Sequence, residues 1–147
     1  MVETTVRAVE DADGVHWDVA RTVDADADVL WGLLTDPNRW PEWGPSVGAV
    51  QCEVDRIERG TRGEVRVAGT WHPFTVETCE EVEPGVRRWT WRVRGVRATG
   101  HRVERLGEGR TRVVFEVPLW AMAYVAICAA ALRKLDRIAC RETGATA

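Results

Sequence analysis

The sequence predicts a single α+β domain with an antiparallel sheet of about seven strands and one long C-terminal helix. Short apolar runs recur at about 47 to 57, 62 to 69, 72 to 83, 86 to 94, 97 to 106 and 110 to 117, each closed by turn residues such as Gly60, Gly69, Pro84-Gly85, Gly95 and Gly107-Glu108-Gly109. Runs at that spacing read as consecutive strands. From Leu119 to about Arg141 nothing breaks a helix, which makes a rod of about 34 Å. The length, 147 residues, and the mixture of 45% hydrophobic with 29% charged residues suit one globular core.

Each element has a local reason. Residues 1 to 14 are polar and end in Asp11-Ala12-Asp13-Gly14, so this arm is either an extra strand or disordered. In Val15, Trp17, Val19 and Val23 the apolar residues keep one phase of a strand, with His16, Asp18, Ala20 and Thr22 facing outward. Asp24 or Asp26 can cap a helix over Ala27 to Thr35 whose apolar side is Val29, Leu30, Leu33 and Leu34, with Trp31 at its flank. The stretch from Asp36 to Pro45 carries three prolines and tolerates no helix longer than a turn. Among the strands, Trp89, Trp91 and Val93 face one way while Arg88, Thr90, Arg92 and Arg94 face the other. On the last helix, 100° steps gather Trp120, Tyr124, Cys128, Ala131, Leu135 and Ile138 on the side facing the sheet. Residues 142–147 form a tail, and 15–141 the domain proper.

Composition narrows the partners. A formal charge of -3 and a pI near 5.7 give no overall field toward nucleic acid. The apolar run Leu119 to Leu132 is shorter than a membrane span and is closed by Arg133-Lys134. Cys52, Cys79, Cys128 and Cys140 lack the spacing of a zinc site, and Cys128 and Cys140 lie about 18 Å apart on one helix, beyond disulfide reach. Reduced thiols, a cytoplasmic location, no metal and no cofactor are expected.

Two motif matches fail on context. Gly44-Pro45-Ser46-Val47-Gly48 fits GxSxG, yet that nucleophile elbow needs a strand turning into a helix. Here a Pro-rich loop leads into a strand. Gly107-Glu108-Gly109 lies between strands and reads as a hairpin turn, not a phosphate loop. The arginines at 87, 88, 92, 94, 97, 102 and 105 make the middle hairpin basic, and a solvated sheet face accounts for them better than an anionic partner does.

The order strand, helix, Trp-rich loop, six strands, long helix resembles the START-like (SRPBCC) superfamily, the helix-grip proteins. Ala27-Asp28-Val29-Leu30-Trp31-Gly32-Leu33-Leu34-Thr35-Asp36 followed by Trp40-Pro41-Glu42-Trp43 looks like the bacterial polyketide cyclase/dehydrase-type branch. Gly60-Thr61-Arg62-Gly63 and Gly109-Arg110-Thr111-Arg112-Val113 sit where that branch has its Gly-Thr turns. The resemblance implies a helix-grip fold, a curved antiparallel sheet of about seven strands wrapped around the long C-terminal helix with two short helices after the first strand, and a cavity between sheet and helix that takes a lipid-, polyketide- or aromatic-like molecule.

Residues expected to line such a cavity are Trp71, Phe74, Trp89, Trp91, His101, Trp120, Tyr124 and Cys128, with Trp40 and Trp43 at its mouth. Each ring serves equally well as plain core. His101, the histidine least attributable to a wet strand phase or a turn, and Tyr124 are the candidates for proton transfer. The reading is therefore binding of a hydrophobic small molecule. The alternatives are a cyclase or dehydratase using His101 or Tyr124, and a homodimer formed through Leu119, Met122, Ala123, Ala126 and Ala130 on the outer side of the helix.

Overall fold

A computed structural model describes residues 3–145. The strands are β1 (Thr5–Asp11), β2 (Gly14–Val23), β3 (Val47–Cys52), β4 (Arg62–Val67), β5 (Thr70–Glu83), β6 (Val86–Val93), β7 (Val96–Gly107) and β8 (Arg110–Pro118). They form one curved antiparallel sheet in the order β1-β2-β8-β7-β6-β5-β4-β3. The N-terminal arm is the eighth strand: β1 pairs with β2 from Thr5 opposite Ala20 to Asp11 opposite Gly14. Residues 1 and 2 of that arm, and 146 and 147 of the tail, lie outside the described residues.

Register along the meander is set by two-residue turns. Val67 pairs with Thr70 and Val93 with Val96, which leaves Ala68-Gly69 and Arg94-Gly95 as the connections. All four have positive φ, at 51° and 79°, and at 54° and 75°, as a type I′ turn requires to match strand twist.

Between β2 and β3 come α1 (Ala27–Thr35), a 3-10 turn at Pro37–Arg39 and the single-turn α2 (Trp40–Trp43). Asp26 is the N-cap residue of α1, but its carboxylate accepts instead from Gly109 N–H across the fold at 2.9 Å. The last carbonyls of a helix need outside donors, and here each one finds its own. Gly32 O accepts from Asp36 N–H, Leu33 O from Trp43 Nε1 at 2.9 Å, Leu34 O from Trp40 Nε1 at 2.9 Å, and Thr35 O from Ile57 N–H.

The C-terminal helix departs from the sequence expectation at its start. Leu119–Tyr124 is a 3-10 segment, broken at Ala121 with φ −101° and ψ 32°, and α3 runs from Val125–Ala145. Helical phase therefore holds from Val125 onward, where Cys128, Ala131, Leu132, Leu135 and Ala139 are buried against the sheet. It fails upstream, where Trp120 is 75% exposed. At its far end α3 extends over residues 142–145, beyond the domain end expected at 141. Arg21 Nε donates to Asp136 Oδ2 at 2.7 Å, tying β2 to α3.

The outer sheet face is less wet than alternation suggests. Asp18 and Glu116 are only 4% and 6% exposed because arginines lie over them. Arg102 donates to Asp18, Glu104 and Glu116 at 3.0, 2.7 and 2.6 Å, and Arg88 to Glu116 and Asp13. Arg87 pairs with Asp28 and Arg92 with Glu77. His16, expected to face solvent, is instead half-buried against Asp18 at 2.8 Å.

Candidate ligand-binding cavity

Concave-face residues of β6, β7 and β8 meet the Trp-rich loop in one aromatic cluster. Trp40 stacks on Trp89 at 5.3 Å and 6°, and touches Trp91 edge-on at 5.3 Å. Phe74 lies 5.5 Å from both Trp40 and Trp91, and Trp43 lies 5.6 Å from Phe115. Trp40 and Trp43, expected at the mouth, are buried. Their indole N–H groups donate to the C-terminal carbonyls of α1, and both rings line the inner chamber.

His101 is 3% exposed and stacks on Trp89 at 3.9 Å and 14°. Its Nδ1 lies 3.4 Å from Trp89 O and its Nε2 3.1 Å from Thr99 Oγ1. A carbonyl only accepts, so Nδ1 carries the proton and Nε2 accepts from Thr99. Thr99 in turn accepts from Trp91 Nε1 at 3.2 Å. Both imidazole nitrogens are thus engaged in a chain from Trp91 to Trp89. Burial lowers the imidazole pKa to about 3, so it is neutral at neutral pH.

Two chambers lie beneath the loop. The inner one, about 40 Å³, is lined by Trp40, Trp43, Trp89 and His101 from the cluster and by Ile127 and Cys128 from α3. That volume holds a few waters at most. The outer one, about 230 Å³, lies between β4, β6, β7, the end of β8 and the 3-10 segment, with Val65, Val67, Val93, Val117 and Trp120 among its walls. Ser46, Val47, Trp91, Thr99 and Tyr124 border both chambers. Ser46 Oγ and Tyr124 OH are hydrogen-bonded at 2.5 Å. Among the described residues no Asp, Glu, Lys or Arg lines either chamber.

The sequence-predicted residues divide accordingly. Trp89, Trp91, His101, Tyr124 and Cys128 gather at the inner chamber, and Phe74 packs behind it. Trp71 borders neither chamber, because Phe74 and Val76 hold the buried phase of β5 and Trp71 takes the opposite one. Trp120 stands on the outer rim, displaced from the inward stripe by the break at Ala121. Ser46 and Thr99 were not read as cavity residues. For Thr99 the available signal was the alternation of Thr99, His101 and Val103 with Gly100, Arg102 and Glu104. For Ser46 there was none, since only folding brings it to Tyr124. Burial raises the Tyr124 hydroxyl pKa and pushes the Cys128 thiol up to about 12, so both stay protonated at neutral pH.

A sheet gripping a C-terminal helix, with apolar chambers between them, defines a helix-grip protein of the START-like class. Residues 4–139 match the family described as polyketide cyclase / dehydrase and lipid transport, and the chain belongs to that family. No curated protein matches it. Among solved structures it is similar to hypothetical protein jhp0584 from Helicobacter pylori, at 16% identity and a TM-score of 0.68, over 83% of this chain and 86% of that one. Human StAR-related lipid transfer protein 5 gives 11% identity and a TM-score of 0.67, over 97% and 83%. The di-domain ARO/CYC StfQ from the steffimycin biosynthetic pathway gives 14% and 0.62, over 86% of this chain and 45% of that one. At these identities the likeness is one of fold.

Proposed function

We propose that this protein binds a hydrophobic small molecule in the outer chamber, against the 3-10 segment that precedes α3. The observation that carries the reading is the chamber itself: about 230 Å³ with almost wholly apolar walls. An apolar cavity of roughly 150 Å³ is enough to take up benzene. The family description, which includes lipid transport, supports the same reading. Paired arginines on the outer face support a solvated surface there over a nucleic-acid site. Native mass spectrometry of gently purified protein tests the proposal, with a co-purified apolar molecule as the expected result. Bare protein that also fails to take up any added apolar probe would overturn it.

Catalysis of cyclase or dehydratase type is favoured by one observation, the Tyr124 hydroxyl standing at the boundary of both chambers. In that reading Tyr124 moves the proton, since both nitrogens of His101 are already engaged. Tyr124→Phe should then abolish turnover of a poly-ketone substrate while leaving its binding intact, and unchanged turnover would exclude the role.

A further inference from the structure

The wall between the chambers holds donor protons that no protein group among the described residues accepts. Ser46 and Tyr124 each carry one hydroxyl proton, and their mutual bond uses one of the two. The other has no protein acceptor among the described residues. Trp89, also lining the inner chamber, holds a buried indole N–H with no partner. By contrast the proton of the nearby Thr99 hydroxyl is committed to His101, while its oxygen accepts from Trp91. A buried donor left unmatched is costly, so this wall favours a molecule that brings an acceptor. It disfavours one that brings a charge, because among the described residues no cationic side chain borders either chamber and an unpaired buried charge is costlier still.

We infer that the ligand is uncharged, with an apolar body in the outer chamber and a single carbonyl-like oxygen that accepts the spare proton of the Ser46–Tyr124 pair. This rests on the binding reading above and adds the chemical class it selects. Free carboxylates such as fatty acids are rejected.

Three naphthalenes of one shape test it by isothermal titration calorimetry: 2-ethylnaphthalene, 2-acetylnaphthalene and 2-naphthoate. The unaltered protein should bind the acetyl compound about tenfold more tightly than the ethyl compound, the worth of one buried hydrogen bond, and naphthoate most weakly. Either single variant, Ser46→Ala or Tyr124→Phe, leaves one hydroxyl proton and should keep the acetyl preference. The double variant should lose it while still binding 2-ethylnaphthalene. Equal affinity for acetyl and ethyl compounds, naphthoate binding as tightly as acetyl, or a preference that survives the double variant would each overturn the inference. The comparison in the unaltered protein decides the matter even if the double variant does not fold. Failure of all three compounds to bind would instead remove the binding reading itself.

Discussion

The imidazole of His101 lies on the indole of Trp89 with ring centroids 3.9 Å apart and planes at 14°, while its Nδ1 faces the carbonyl of that same residue. This packing holds the ring neutral. In the unfolded chain it takes a proton below about pH 6.5, whereas in the fold it does so only near 3. Between those values the unfolded state binds more protons, so stability is complete above about 6.5 and falls with acidification, by up to about 1.4 kcal/mol per pH unit from this group. The urea midpoint should fall less steeply between pH 6.5 and 5 in His101→Gln than in the unaltered protein. Equal slopes would show that the imidazole is protonated in the fold.

Trp40 and Trp43 close the C-terminal end of α1. Trp40→Phe and Trp43→Phe keep a ring but leave Leu34 O or Leu33 O without its donor. Each should cost about 1–3 kcal/mol in chemical denaturation. A loss below about 0.5 kcal/mol for both would mean that water reaches those carbonyls.

Trp120 makes the opposite prediction. At 75% exposure its replacement by Ser should change stability by no more than about 0.5 kcal/mol, yet weaken uptake of an apolar probe because the outer chamber loses part of its rim. A large drop in melting temperature would place this ring in the core after all.

On the outer face, Arg102→Ala strips a shared partner from Asp18 and Glu116, both nearly inaccessible. Removing one side of a buried pair costs about 3–5 kcal/mol. Arg102→Lys should restore only part of it, since an ammonium cannot match the guanidinium's fork toward several carboxylates. Full rescue by Lys would show that charge alone matters there.

Ala68 occupies the left-handed region at φ 51° in the β4–β5 turn. Ala68→Gly should raise stability by about 1 kcal/mol, read as a higher urea midpoint with an unchanged slope. A lower midpoint would mean that the methyl group packs usefully against the turn.

Much of the fold was legible in the residues. Alternation and turn residues place the six strands from Val47 to Pro118, although β3 ends at Cys52 and the rest of the run to 57 belongs to a loop, and the apolar run places α3 on the sheet from Val125 onward. The N-terminal arm was not legible, because its polar composition suits an edge strand and a disordered segment equally, and pairing with β2 decides between them. Of the candidate site, Trp89 and Trp91 follow from strand phase and Cys128 from helix phase, while His101 and Tyr124 stand out by their chemistry, since the sequence leaves the strand phase around His101 open and Tyr124 lies upstream of the regular helix.

By itself the sequence determined what depends on neighbours a few residues apart: strand phase, turn positions, the helical stripe from Cys128 onward, and the absence of charge on it. The tertiary structure alone decided what depends on groups far apart in the chain. Trp40 and Trp43 line the inner chamber while their indole N–H groups donate to the carbonyls that end α1. Trp120 turns outward because Leu119–Tyr124 winds as a 3-10 segment and loses the phase of α3. Ser46 becomes a cavity residue because the chain brings it to Tyr124, 78 positions away, and a hydrogen bond across that separation leaves no periodic trace in the sequence.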